Sequence, residues 1–248
     1  MKWNMFRVMY CVFALGASSS VAQAASIAFI GFNADATDGY SIATFEDIPT
    51  GTEILFTDDE WNGAGFVDTN EADWKWTATS LVPAGAVINF TDLSNFYSAA
   101  TPATVSMGTF TPIVVGGTNP GFSNSAEVIY AYTGSRATPT FLAAISSDTA
   151  LNTNFVGLSG AHAIQLSSSS DGAKYAGPRM VLAPQFNSSL FLPLVANVAS
   201  NWTDVGGGAG NNNFDLTPFT VPEPASWALL GLSAMAFGGR RRLIQTVA

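Results

Sequence analysis

Ile48-Pro49-Thr50-Gly51-Thr52-Glu53-Ile54-Leu55-Phe56-Thr57-Asp58 aligns without gaps to Val82-Pro83-Ala84-Gly85-Ala86-Val87-Ile88-Asn89-Phe90-Thr91-Asp92. Proline presets φ for a turn, and a glycine two residues later tolerates positive φ, so each copy opens on a turn that feeds a strand. Asp58 and Asp92 then stand at equivalent strand ends. A solenoid needs at least about three repeats to bury a continuous core. The two copies therefore read as similar strand elements within one sandwich.

The chain on either side has the same texture. Ser26-Ile27-Ala28-Phe29-Ile30-Gly31-Phe32 alternates like a strand with one face on a core. Further strands are expected at Tyr40 to Phe45, Glu53 to Thr57, Trp74 to Thr77, Val87 to Phe90, Ile113 to Val115, Glu127 to Tyr132, Phe141 to Ile145 and Ala163 to Leu166. Turn residues punctuate them, as in Asn33-Ala34-Asp35 and Gly116-Gly117-Thr118-Asn119-Pro120. Many short strands at this spacing predict an all-β fold, an immunoglobulin-like or related β-sandwich over 25–205. A helical turn fits Pro139 to Leu151, but no long 3.6-residue period appears. The run Gly206-Gly207-Gly208-Ala209-Gly210-Asn211-Asn212-Asn213 predicts a flexible linker over 206–220.

Such a body is long enough to bury a core without staples. It has none, because the chain's one cysteine, Cys11, precedes it. Charge is sparse and one-sided. Between Ala25 and Val221 the cations are Lys75, Arg136, Lys174 and Arg179, against 17 Asp and Glu, which leaves −13. Nucleic-acid binding draws on Lys and Arg that neutralise phosphates, so it is excluded as a function class. Contact with an anionic polysaccharide would need divalent cations between the two surfaces.

The termini carry addresses. Lys2 and Arg7 precede an apolar run from Val8 to Ala17, and Ala22-Gln23-Ala24 forms an A-x-A site. This pattern predicts a signal peptide over 1–24, with Ala22 and Ala24 directing cleavage by signal peptidase. The other end reads Val221-Pro222-Glu223-Pro224-Ala225-Ser226, then an apolar run from Trp227 to Gly239, then Arg240-Arg241-Arg242. A single hydrophobic helix is expected there, with the arginines as a membrane stop on the cytoplasmic side. The tripartite tail over 221–248 resembles the PEP-CTERM sorting signal of exopolysaccharide-producing Gram-negative bacteria. The resemblance implies recognition of Pro222, Glu223 and Pro224 by an exosortase in the inner membrane, cleavage beside them, and only transient membrane residence. It implies no activity for the body. The segment Ile27 to Asn62 is in turn similar to the opening of a lamin-tail-like sandwich domain of bacterial surface proteins, and carries no catalytic motif.

The richest polar constellation is Asp58-Asp59-Glu60-Trp61-Asn62, followed by Asp68, Glu71, Asp73, Trp74 and Trp76. It reads as a solvated acidic loop. Its alternative is a calcium site built from Asp58, Asp59, Glu60, Asp68, Glu71 and Asp73, since calcium takes roughly six to eight oxygen ligands. The first reading requires no cofactor, and the second makes Ca2+ a possible one. Asp35 and Asp38 form a second small group that ends in Gly39. Trp61, Trp74 and Trp76 read as core residues, or as a sugar-stacking platform if exposed on one face. Catalytic signals are thin. The lone histidine, His162, has no G-x-S-x-G partner and no companion metal ligands, so it reads as structural. A carboxylate pair for glycoside hydrolysis could come from Asp58, Asp59, Glu60, Glu71 and Asp73, with nothing to single one out.

The expectation is a non-enzymatic protein, exported through the inner membrane to the cell surface or extracellular matrix, with a structural or adhesive role beside exopolysaccharide. Its alternatives are a calcium-dependent carbohydrate-binding module and a carboxylate-based polysaccharide-cleaving enzyme.

Overall fold

In the computed structural model the described residues are 27–35, 37–67, 71, 73–95, 103–113, 121–123, 127–148, 155–158, 162–166, 171–179, 201–205 and 212–220. They form β1 Ile27–Asn33, β2 Gly39–Thr44, β3 Glu53–Thr57, β4 Asp73–Thr77, β5 Val87–Thr91, β6 Thr104–Val105, β7 Thr109–Ile113, β8 Val128–Ser135, β9 Thr138–Ser146, β10 His162–Gln165, β11 Gly172–Tyr175 and β12 Trp202–Asp204. Among these residues the one helical element is a 3-10 turn, Leu93–Asn95. Two six-stranded sheets result, in the orders β12-β11-β1-β2-β5-β6 and β10-β9-β8-β3-β4-β7. The β10–β9 pair is parallel, and the other named pairs are antiparallel. The fold is an all-β sandwich. Its strands exceed the roughly seven of an immunoglobulin constant domain, so a related sandwich is what forms.

The repeat places one copy in each sheet, and their local geometry coincides. Gly51 has φ 85° and Gly85 has φ 86°. Thr52 N donates to Pro49 O at 3.1 Å, and Ala86 N donates to Pro83 O at 3.1 Å. Gly51 N then bonds Ala78 O, whose residue returns a bond to Thr52 O. In the other sheet Gly85 N bonds Thr44 O, and Thr44 N returns to Ala86 O. Ile48 and Val82 bridge the copies reciprocally, at 2.8 and 3.0 Å. The sandwich is thus stitched at one end by the first residue of each copy.

Between the sheets lies a core in which Phe56 and Phe90, equivalent in the repeat, meet at 5.3 Å between ring centroids. Tyr40, Phe29, Trp74 and Trp76 are fully enclosed there. Each aromatic side chain buries roughly 150–250 Å², worth about 4–6 kcal/mol of transfer free energy at ~25 cal/mol/Å². Aromatic packing of this kind stands in for the disulfides that the body lacks.

All residues of β1 and β2 are buried, so alternation against a single core is not the whole description. Their outer side is covered by 212–220. A Cβ on Gly31 would strike the Phe214 ring, and one on Gly39 would lie 2.5 Å from Asn212 Oδ1. Residues 212–220, within the stretch expected to be a flexible linker, are therefore packed on the body. The second sheet has its own outer cover. Trp61, Val128, Tyr130, Ala144 and Leu158 form a satellite core, with Phe66, Phe141 and Phe155 packed on it.

Other departures are local. The strand expected at Ile113 to Val115 runs instead over Thr109–Ile113, and β9 occupies Thr138–Ser146, where the sequence also admits a helical turn. Pairing along nearly the whole of β8 holds that segment extended. Residues 1–24 and 221–248, with Ala22, Ala24, Pro222, Glu223, Pro224 and the Arg240-Arg241-Arg242 run, lie outside the described residues. Among the described residues no helix is long and apolar enough to cross a membrane.

Candidate functional site

The acidic stretch is not a solvated loop. Asp58, Asp59 and Asp73 are each 1–2% exposed. Thr57 ends β3 opposite Asp73, the first residue of β4, so the ladder itself sets two polar side chains side by side. Asp59 N donates to Thr57 Oγ1 at 3.2 Å, and that hydroxyl donates to Asp59 Oδ2 at 3.1 Å. The tip of the β8–β9 hairpin delivers the counter-charge. Arg136 Nη1 donates to both Asp73 oxygens, at 2.8 and 2.7 Å, and Nη2 pairs with Asp59 Oδ2. Its guanidinium also lies 4.9 Å from the centre of the Phe66 ring. Burial raises both carboxyls above their ordinary range, and the arginine opposes that rise. A single cation thus bridges both carboxylates and lies over a ring that packs on the satellite core.

Asp58 turns to a different set of neighbours. Burial raises its carboxyl well above the ordinary range, and Glu127 and Glu71 push it in the same direction. Glu127, immediately before β8, is also raised by burial, although Ser123 N and Val128 N donate to it at 2.7 and 2.9 Å. Asp58, Glu71 and Glu127 therefore form one electrostatically coupled group, and Asp59 and Asp73 share the single charge of Arg136, with Asp59 also adding to the rise at Asp58. Glu60 is half-buried, and Asp68 lies outside the described residues. Of the candidate calcium ligands, Asp58 and Glu71 face Glu127, whereas Asp59 and Asp73 face Arg136. Among the described residues no group of three or more His, Cys, Asp or Glu is arranged to hold a metal ion.

The remaining candidates are placed with equal clarity. Trp74 and Trp76 are fully buried and Trp61 is 8% exposed, so they form no stacking platform. Trp61 Nε1 donates to Val156 O at 3.0 Å, and Trp76 Nε1 donates to Met107 O at 2.7 Å. Asp38 accepts from Phe122 N at 2.9 Å. Burial chiefly, with Asp35 adding to it, lifts its carboxyl to about 6. His162 opens β10, opposite Ala143. For hydrolysis, an acid and a base must reach the scissile bond. Asp58, Asp59 and Asp73 lie beneath the surface here. A small cavity of about 90 Å³, lined among others by Glu46, Asp47, Pro49 and Thr133, contains none of them.

Sequence reasoning passed over two residues that matter here, Arg136 and Glu127. Arg136 had left a signal: it is one of four cations in a body with 17 acids, and it sits in a Gly134-Ser135-Arg136 turn. A cation that scarce is a natural counter-ion for whatever carboxylates the fold buries. Glu127 leaves no such mark, since a glutamate before an apolar run ordinarily faces water.

The comparisons with known proteins speak to the tail. Residues 220–242 match the PEP-CTERM protein-sorting motif. No curated protein and no solved structure matches the chain, so the likeness of the body to a lamin-tail domain gains no support from them. The motif implies a protein that is exported, sorted by an exosortase as its processing partner, and located at the surface or outside the cell.

Proposed function

We propose that the body is a non-enzymatic, structural or adhesive component of the bacterial surface or extracellular matrix, in contact with exopolysaccharide. The observation that carries this reading is the sorting motif at residues 220–242, joined to an all-β body that buries its described tryptophans and the candidate acids Asp58, Asp59 and Asp73. Inward tryptophans weaken the reading of a sugar-stacking module, and buried carboxylates weaken that of a polysaccharide-cleaving enzyme. What faces outward is a rigid sandwich with an excess of acids. Its contact with an anionic polymer runs through divalent cations, because the direct interaction is repulsive.

The test uses residues 25–220 mixed with exopolysaccharide from the native host, with and without a chelator. Cosedimentation is read beside reducing ends in the same tubes. Chelator-sensitive cosedimentation without new reducing ends is expected. Release of reducing ends would make the body an enzyme. Absence of binding under both conditions would move the partner away from the sugar.

A further inference from the structure

Asn62-Gly63 is the one Asn-Gly pair in the chain. It lies in a short loop closed by the Trp61–Phe66 bridge, with Asn62 N donating to Gly65 O at 3.2 Å and Val67 N to Glu60 O at 2.9 Å. Trp61 belongs to the satellite core and Phe66 packs on it, so both ends of the loop are held. The tip itself faces water: Asn62, Gly63 and Ala64 are exposed. The Asn62 side chain is fixed all the same. Its Oδ1 accepts from Ala64 N at 2.9 Å and from Gly65 N at 3.0 Å. Gly63 has φ 93°, and a Cβ there would lie 2.9 Å from Val156 Cγ1, so the fold requires glycine after this asparagine. Among the described residues the Gly63 N–H donates to no acceptor.

We propose that Asn62 is a site of self-modification, at which the folded turn promotes loss of the side-chain amide as ammonia and leaves aspartate or isoaspartate. The nucleophile is the Gly63 backbone nitrogen, which has no side chain beside it. It bonds to Asn62 Cγ, closing a succinimide ring, and its proton passes to a solvent hydroxide. Negative charge develops on Oδ1, which the Ala64 and Gly65 N–H groups already face. Donors placed in advance where charge develops lower the barrier. The Cγ–Nδ2 bond then breaks, and Nδ2 leaves as ammonia with a proton from water, which restores the hydroxide. A second water opens the ring. Its addition at Cγ restores the main chain as aspartate; addition at the Asn62 main-chain carbonyl carbon leaves isoaspartate, linked to Gly63 through the side chain. Aspartate keeps both bonds from Ala64 and Gly65, now to a charged oxygen. Isoaspartate adds a carbon to the chain between the bridged Trp61 and Phe66, which slackens the edge of the satellite core. Either product adds one negative charge to a body that already carries −13, and the mark accumulates with the age of the chain.

The experiment incubates the full chain in mild detergent beside the isolated peptide Asp58 to Val67, at neutral pH in water enriched in heavy oxygen. Peptide mapping by mass spectrometry reads the heavy oxygen at position 62, and chromatography separates aspartate from isoaspartate. The folded chain is expected to react at least as fast as the peptide. A chain slower than the peptide would overturn the proposal, because the turn would then protect Asn62. A64P removes one of the two donors. Such a loss costs roughly a hundredfold or more in an enclosed site, and about tenfold is expected at this exposed one. A folded A64P that reacts as fast as the wild type would also overturn the proposal. A cooperative melt checks that A64P folds, and if it does not, the comparison with the peptide decides alone.

Discussion

The two copies of the repeat have the same turn, the same returning hydrogen bonds and the same inward phenylalanine, yet they leave their strands in different ways. After β3 the chain dives: Asp58 and Asp59 are 1% exposed, and the residues beyond them roof the satellite core. After β5 Asp92 is only half-buried and takes φ 60°, and the chain returns to the main core at Leu93, where the 3-10 turn begins. The difference lies in the neighbours. β3 sits between β4 and β8, and the long β8–β9 hairpin carries Arg136 onto the acids at its end. β5 has the two-residue β6 on one side, and among the described residues no charged hairpin tip reaches its end. Local sequence sets how each copy begins, and tertiary surroundings set how it ends.

The first copy's ending is broken most directly at Arg136. R136M leaves Asp59 and Asp73 buried beside each other without their cation, and removing one partner of a buried pair costs about 3–5 kcal/mol. Denaturant unfolding should show a loss of that order, larger than that of any other variant named below. The beginnings can be compared through their glycines. Alanine at either position meets the same penalty at positive φ, about 1 kcal/mol or a little more. At Gly51 a Cβ meets nothing within 4 Å, whereas at Gly85 it collides with the Phe219 carbonyl oxygen. G51A should therefore lose about 1 kcal/mol and G85A roughly 3 kcal/mol. Equal losses would mean that 212–220 does not press on the second copy.

How much of this could be read in advance follows the same division. The Pro-x-Gly turns, β3 to the residue, and the strands around Phe29, Ile42, Val87 and Ile129 were legible, because turn chemistry and alternation are local. The tail motif was legible for the same reason, and the family comparison matches it at 220–242. The burial of Asp58, Asp59 and Asp73 was not, since acids in a loop ordinarily stay in water. Only the arrival of Arg136, 63 residues beyond Asp73, reverses that expectation. Short strands such as Gly172–Tyr175 escaped because their polar residues carry no period, and their place is fixed by pairing with β1. Packing of 212–220 was hidden behind a Gly/Asn run. Phe214 and Phe219 are its buried apolar residues, while Leu216 beside them is exposed.

Acid titration extends the comparison with a smaller effect. Burial raises Asp38, Asp58, Asp59, Asp73 and Glu127. An acid whose folded pKa is raised binds its proton more tightly in the folded state. Its stabilising contribution is complete below the unfolded pKa, near 4, and is lost as pH rises toward the raised value. The melting temperature should accordingly be higher at pH 5 than at pH 8. D58N, which keeps the shape and removes a charge that Glu127 and Glu71 oppose, should raise it at pH 8 and flatten the slope. The matching change in the second copy tells the ends apart. Asn tolerates the left-handed region as readily as Asp, so D92N should stay within about 0.5 kcal/mol of wild type at either pH. D92A, which loses that tolerance, should cost about 1 kcal/mol. A pH-dependent gain from D92N as large as that from D58N would place both aspartates in one kind of environment, and the asymmetry between the two endings would be gone.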